Sequence, residues 1–265
     1  MNPADNKADE VKQLTGYKHD DYFFLTPEKD GVVFRAHAGG ATTNNSGYPR
    51  SELRERTADG KVDISWDSND GDYHIIEITQ KITHLPEIKK HLVAGQIHDA
   101  NDDVCMLRLE GKKLFLEFGL KDENGVNYPD LEIDPNYQLG DVFTFKIVVH
   151  NNTMQFYYND ILKHDKEFKA FSGAYFKAGA YTQSSCQGTK KVSGESCDAY
   201  GEVVIYGLSV YHDSAPLITA INKTTTTPAS IVAYYSILGT RLPQEPENGV
   251  YVILYKNGKA RKVLK

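Results

Sequence analysis

Nowhere in this sequence does an apolar run approach the roughly 20 residues that a bilayer-spanning helix needs, so membrane insertion is not expected of it. The opening MNPADNKADEV has no apolar h-region and, as it stands, is not a signal peptide. Positive charge is also short. Thirty Lys+Arg face 36 Asp+Glu, a net charge of −6, which argues against bulk attraction to nucleic acid or an anionic membrane. An anionic ligand would have to meet positive charge that is concentrated locally. Cysteine is rare, with three in 265 residues. Cys105, inside the apolar run VCMLRLE, reads as a buried thiol. Cys186 and Cys197 flank QGTKKVSGES and either close that loop as a disulfide, as suits an exported protein, or remain thiols. His19, His37, His74, His84, His91, His150, His164 and His212 show no metal-ligand spacing and read as structural. Internal repeats are absent, and helical periodicity is scarce.

What the sequence does contain is short alternating runs. DYHIIEITQKI, VCMLRLE, KLFLEFGL, VFTFKIVVH, TMQFYYND and EVVIYGLSVYH are separated by turn signals such as NDGD, EGKK and DENG. Many short strands at this spacing predict an all-β fold, a β-sandwich or jelly roll of two antiparallel sheets. TPEKDG near residue 26 and PEIKK near residue 86 are expected to hold a helical turn each. The main domain is expected over 1–213. SAPLITAINKTTTTPAS, spanning 214–230, reads as a Thr/Ser/Pro linker. Residues 231–265 form a small β segment whose Asn257-Gly258 marks a type I′ hairpin. Charge differs between the parts: residues 229–265 carry six basic and two acidic side chains, leaving −10 for the first 228.

Three stretches alternate functional polar side chains with apolar or small ones. In YPRSELRER, Arg50, Glu52, Arg54 and Arg56 share one strand face, while Ser51 and Leu53 point the other way. In AGQIHD, Gln96 and His98 share a face and Ile97 points in. In YFKAGAYTQ, Tyr175, Lys177, Gly179, Tyr181 and Gln183 fall on one face, with Phe176, Ala178, Ala180 and Thr182 on the other. Residues i and i+2 lie about 6.6 Å apart on a strand, close to the spacing of charges along an extended sugar chain. Each stretch alone is ordinary for a solvated sheet. Together they predict a concave face lined with Arg, Gln, His, Lys and Tyr.

RSELR, QIH and YFKAGAYTQ, in this order, resemble the three signature regions R(S/T)ELR, Q(I/V)H and YxKAGxYxQ of the alginate lyases of polysaccharide lyase family seven. The resemblance spans about residues 10 to 212 and implies a β-jelly roll that cleaves alginate by β-elimination. The C5 proton of a uronate sits beside a carboxylate, so its removal requires that carboxylate to be neutralised. Arg50 or Arg54, with Gln96 beside it, would supply that neutralisation. His98 is the natural base. Tyr181 would protonate the departing O4 oxygen, or act as both base and acid on mannuronate, with Lys177, Arg50 and Arg54 as the cations a phenolate needs. Arg54, Glu52, Arg56, Tyr175, Lys177 and Gln183 would bind substrate, and Gly179 would leave room for the sugar chain. No metal or other cofactor is implied.

QIH rather than QVH tends in this family to accompany guluronate-containing blocks. Endo action, a monomer, and a secreted, cell-surface or periplasmic location with the signal already removed are the further expectations. The tail from about Ala233 resembles the C-terminal sorting segments of secreted Bacteroidota proteins; a small accessory hairpin is the other reading. Two rivals stand beside the leading one: a lyase on another polyuronate such as glucuronan, and a module that binds a polyanionic sugar without cutting it.

Overall fold

A computed structural model describes residues 8, 10–43, 46–216, 231–236, 241–247, 250–255 and 260–264. Strands are numbered in chain order. The chain divides into two compact units, residues 1–217 and 218–265.

The first unit is two antiparallel sheets. One has seven strands in the order β1 (Phe23–Leu25), β2 (Val32–His37), β13 (Tyr200–Asp213), β4 (Tyr73–His84), β9 (Phe143–His150), β10 (Thr153–Tyr158) and β11 (Ile161–Glu167). The other has six, in the order β3 (Arg50–Arg54), β12 (Tyr175–Thr182), β5 (His91–His98), β6 (Asp103–Glu110), β7 (Lys113–Phe118) and β8 (Leu131–Asp134). Neighbours such as β2 and β13 come from opposite ends of the unit, the crossed order of a jelly roll. Among the described residues there is no α-helix; Gly188–Lys190 makes a single 3₁₀ turn.

The two sheets bury their apolar faces against each other. Phe34, Ile76, Ile78, Ile82, Phe145 and Ile147 from the first meet Leu92, Ile97, Leu107, Leu114 and Phe176 from the second in one core. Burial along the strands shows which sheet carries more than a core. β9 alternates buried and half-buried residues strictly, as expected with water on one face. β5 and β12 are buried at nearly every position, so both faces are covered, although one of those faces is polar.

The two stretches expected to hold helical turns do not. At TPEKDG, Thr26 Oγ1 accepts the N–H groups of Asp30 and Gly31, and Lys29 takes a φ of 59°, which a helix forbids. At PEIKK, the N–H groups of Glu87, Ile88 and Lys89 turn to the carboxylate of Glu195. Cys186 and Cys197 are joined in a disulfide, and Cys105 is a buried free thiol.

The second unit is a four-stranded antiparallel sheet in the order β15 (Arg241–Leu242), β14 (Ile231–Ser236), β16 (Val250–Tyr255) and β17 (Ala260–Leu264). Ala233 and Ile253 are buried within it. The linker from residue 217 to 230 and the Asn257-Gly258 turn lie outside the described residues.

Candidate active site

Three strands of the six-stranded sheet bring the motifs side by side. β12 lies between β3 and β5, with Lys177 opposite Arg54, Gly179 opposite Glu52 and Tyr181 opposite Arg50. On its other edge Tyr175 faces His98 and Lys177 faces Gln96. The two-residue side-chain period then sends these residues to one face and Ile97, Phe176 and Ala178 into the core. Arg50, Glu52, Arg54, Gln96, His98, Tyr175, Lys177 and Tyr181 all line one groove of about 980 Å³.

The floor of that groove is a carboxylate. Glu52, expected to contact substrate, has a side chain only 2% exposed and lies beneath the other groups. Its oxygens accept from Lys177 Nζ at 2.7 Å, Gln96 Nε2 at 2.5 Å and Arg50 Nη1 at 3.4 Å. Burial opposes its charge, but Lys177 and Arg50 outweigh it and hold the carboxyl below its usual range. Lys177 is likewise buried; desolvation pulls its ammonium below the ordinary lysine value, against the attraction of Glu52. Its ammonium is paired with Glu52 at the base of the groove. Glu52, expected to bind substrate, stands at the base of the groove with its carboxylate oxygens turned to Lys177, Gln96 and Arg50.

Gly179 is corrected. Its φ of 137° is one that L side chains rarely adopt, and a Cβ there would lie 2.4 Å from Ser51 O and 3.0 Å from Phe34 Cδ1. The missing side chain makes room for the backbone of β3, not for a substrate. A register shift against β5 follows between Ala178 and Tyr181.

Two cations sit on the faces of the two phenols. The Arg50 guanidinium is 3.8 Å from the Tyr181 ring centroid, and Arg54 is 3.8 Å from that of Tyr175. Arg54 is also bound by Asp63 at 3.5 Å. Arg50 shares Glu52 with Gln96, so the two groups suited to discharging a carboxylate are held by one anchor. Tyr181 Oη is 2.9 Å from Ser46 Oγ.

His98 Nδ1 lies 2.7 Å from the carbonyl oxygen of Asp99, which can only accept. The proton is thus on Nδ1 and Nε2 keeps its lone pair. Burial, with Lys177 adding to it, pushes the imidazolium below its ordinary range, so the ring is a neutral base with a fixed tautomer. It stacks on Tyr175, with centroids 5.3 Å apart.

Two expected binding residues stand elsewhere. β3 ends at Arg54, and Arg56 pairs with Glu10 and Asp63 and donates to Lys61 O. β12 ends at Thr182, and Gln183 passes its N–H to His91 O; neither Arg56 nor Gln183 lines the groove. Arg56 instead borders a second cavity of about 380 Å³, lined by Ala8, residues 10–14 and β3, which contains none of Gln96, His98 and Tyr181. Conversely, Ser46 and Tyr48 were not anticipated. Tyr48 lies two residues before Arg50, in phase with it, with its ring 6.4 Å from that of Tyr181 and its hydroxyl 2.8 Å from Lys89 Nζ. Among the described residues no cluster of His, Cys, Asp or Glu is arranged to hold a metal.

The family model described as alginate lyase matches residues 1–212. A curated alginate lyase of Klebsiella pneumoniae is 26% identical over 268 residues, covering 78% of this chain and 84% of that protein. Among solved structures, alginate lyase AlgAT5 from polysaccharide lyase family 7 is 48% identical, with a TM-score of 0.71 over 78% of this chain and 91% of that one. The alginate lyase from Corynebacterium sp. is 39% identical, with a TM-score of 0.65 over 74% of this chain and 83% of that one. On a match that covers the whole two-sheet unit and a groove built from its three signature stretches, the chain belongs to the alginate lyases of polysaccharide lyase family 7.

Proposed function

We propose that the groove cleaves alginate by β-elimination at the 4-O-glycosidic bond, leaving an unsaturated uronate at the new non-reducing end. Arg50 and Gln96 take the carboxylate of the uronate whose C5 proton leaves. Arg50 provides a fixed planar cation, and the second N–H of the Gln96 amide remains for the substrate once the first is given to Glu52. Discharging that carboxylate before proton removal avoids a dianion; one preorganised donor of this kind is typically worth about 10²–10³ in rate. On guluronate, His98 Nε2 takes the C5 proton and Tyr181 Oη delivers one to O4. On mannuronate, Tyr181 serves both steps. Arg54 and Tyr175 bind the neighbouring sugar.

The observation that carries this reading is the shared groove: a discharging pair on one buried anchor, a neutral imidazole of fixed tautomer, and a phenol. Cutting within chains and a preference for guluronate-containing blocks belong to the same proposal. Ile97 is fully buried, so it would act on preference only through the packing behind Gln96 and His98.

The test is Tyr181→Phe, followed through the absorbance of the unsaturated product on defined alginate blocks. Turnover is expected to fall by about 10²–10⁴ with affinity kept; turnover close to wild type would end the assignment. Product lengths early in the digest report endo against exo action.

A further inference from the structure

The groove ends differently on its two sides. Beside His98 and Tyr175 it is lined by Asp99, Asp102 and Asp103, whose charge opposes a polyanion. Past Tyr181, at the other end of β12, stand Tyr48, Lys89 and Lys190, which the proposed elimination does not use. The Tyr48 ring lies 6.4 Å from that of Tyr181, about the step that separates alternate residues of a strand. Lys89 Nζ donates to Tyr48 Oη at 2.8 Å, and Lys190 Nζ lies 5.9 Å from the centroid of the same ring.

Charge matching sets these two lysines apart from the cations of the groove. Lys177 and Arg50 face Glu52, and Arg54 faces Asp63. Among the described residues no carboxylate pairs with the ammonium of Lys89 or of Lys190. Glu195, which reaches the Lys89 backbone, is buried and accepts from Ser184 Oγ and the N–H groups of Glu87, Ile88 and Lys89. Unmatched positive charge therefore borders the groove beyond Tyr181.

One loop builds this corner. Lys190 is exposed and ends the 3₁₀ turn inside the loop that the Cys186–Cys197 disulfide closes. The Cys186 N–H donates to Ala38 O, and Cys197 O accepts from the Gly39 N–H, so both ends of the loop are tied to the chain leaving β2. Glu195, on the same loop, fixes the backbone from which Lys89 extends. Gly47 leaves a path for the Lys190 stem, since a Cβ there would overlap Lys190 Cγ.

We propose that Tyr48, Lys89 and Lys190 form a further sugar-acid subsite at the Tyr181 end of the groove, organised by the disulfide loop. It takes a uronate beyond those at the bond being cut, with the sugar ring against Tyr48 and the carboxylate at the two ammonium groups. The subsite rests on the alginate reading for its ligand and adds the direction in which the bound chain continues.

The test is steady-state kinetics of Lys190→Ala on alginate oligomers of graded length, with Tm measured alongside. KM is expected to rise about two- to fivefold on polymer and long oligomers, the range of one exposed ion pair. The rise should shrink towards the shortest oligomer that is cut, and it should fade in high salt. Lys190→Arg should keep most of the wild-type KM, and Lys190→Glu should raise it beyond Lys190→Ala. A KM unchanged at every length, or raised equally at every length, would overturn the subsite. Opening the disulfide with reductant should give the same length-dependent rise; a reduced protein with wild-type KM would overturn the part given to the loop. Wild-type turnover tests the elimination reading separately. Calorimetric affinities of the same oligomers for Tyr181→Phe, with and without Lys190→Ala, need no turnover. Equal affinities for long oligomers would overturn the subsite even where wild type cuts alginate, and a difference that grows with length would support it whether or not product forms.

Discussion

Glu52 illustrates how much of the groove hangs on one buried side chain. A buried carboxylate facing an ammonium, an amide and a guanidinium is tolerable because each desolvated charge is matched. Glu52→Gln leaves Lys177 buried without its counter-charge, and breaking such a pair typically costs about 3–5 kcal/mol. Chemical denaturation should show a loss of that order, together with a fall in kcat as Arg50 and Gln96 lose their orientation. Adding Lys177→Met should return part of the stability without the turnover, a double-mutant signature of a buried pair. His98 gives the second residue-scale expectation. Only the neutral ring accepts a proton, and burial lowers its pKa. The acid limb of kcat/KM should therefore lie below pH 6.5, the ordinary imidazole value. A limb above pH 7 would contradict a desolvated base. Period-two parity sufficed to place Arg50, Gln96, His98 and Tyr181 on one face. It could not separate Glu52 from its neighbours, because parity gives a face and not a depth.

At the scale of elements, strand ends and bulges were the illegible part. Arg56 and Gln183 are in phase with their motifs, yet β3 stops where Glu55 turns its side chain to Phe176, and β12 stops where Gln183 bonds to His91 O. Both endings are set by partners more than 90 residues away in sequence, which no local pattern encodes. Gly179 was misread for a similar reason, since the atom it avoids is the carbonyl of Ser51 on another strand. The loop between Ser184 and Cys197 shows the same dependence at a place where it can be measured. Its Glu195 carboxylate accepts from Ser184 Oγ and from the N–H groups of Glu87, Ile88 and Lys89, which lead into β5. The disulfide of Cys186 and Cys197, separated by 11 residues, holds that loop closed. Closing a loop of this length is worth about 3 kcal/mol in the chain-entropy account. Thermal unfolding with reductant should lower Tm, and Glu195→Gln should lower it further, because the cap and the crosslink act on the same loop. An unchanged Tm under reducing conditions would show that the loop stands without its bridge.

For the whole molecule, the all-β class was legible, whereas the sheet order was not. β2 pairs with β13 and β3 with β12, contacts between sequence-distant strands that only the folded core specifies. Every groove residue belongs to the first unit, which has its own two-sheet core, while the second has its own four-stranded sheet. The tail is proposed to serve export rather than catalysis, its basic excess standing against the acidic first unit. Deleting residues 218–265 should accordingly leave kcat/KM on alginate within about twofold and the first unit's unfolding midpoint nearly unchanged, since independent sites combine additively. The same deletion should change where the protein accumulates in its native host, measured by fractionating cells and medium. A truncated chain that lost activity in the test tube would place the second unit in the catalytic apparatus. One that was fully active and still correctly located would leave the tail without the export role proposed for it.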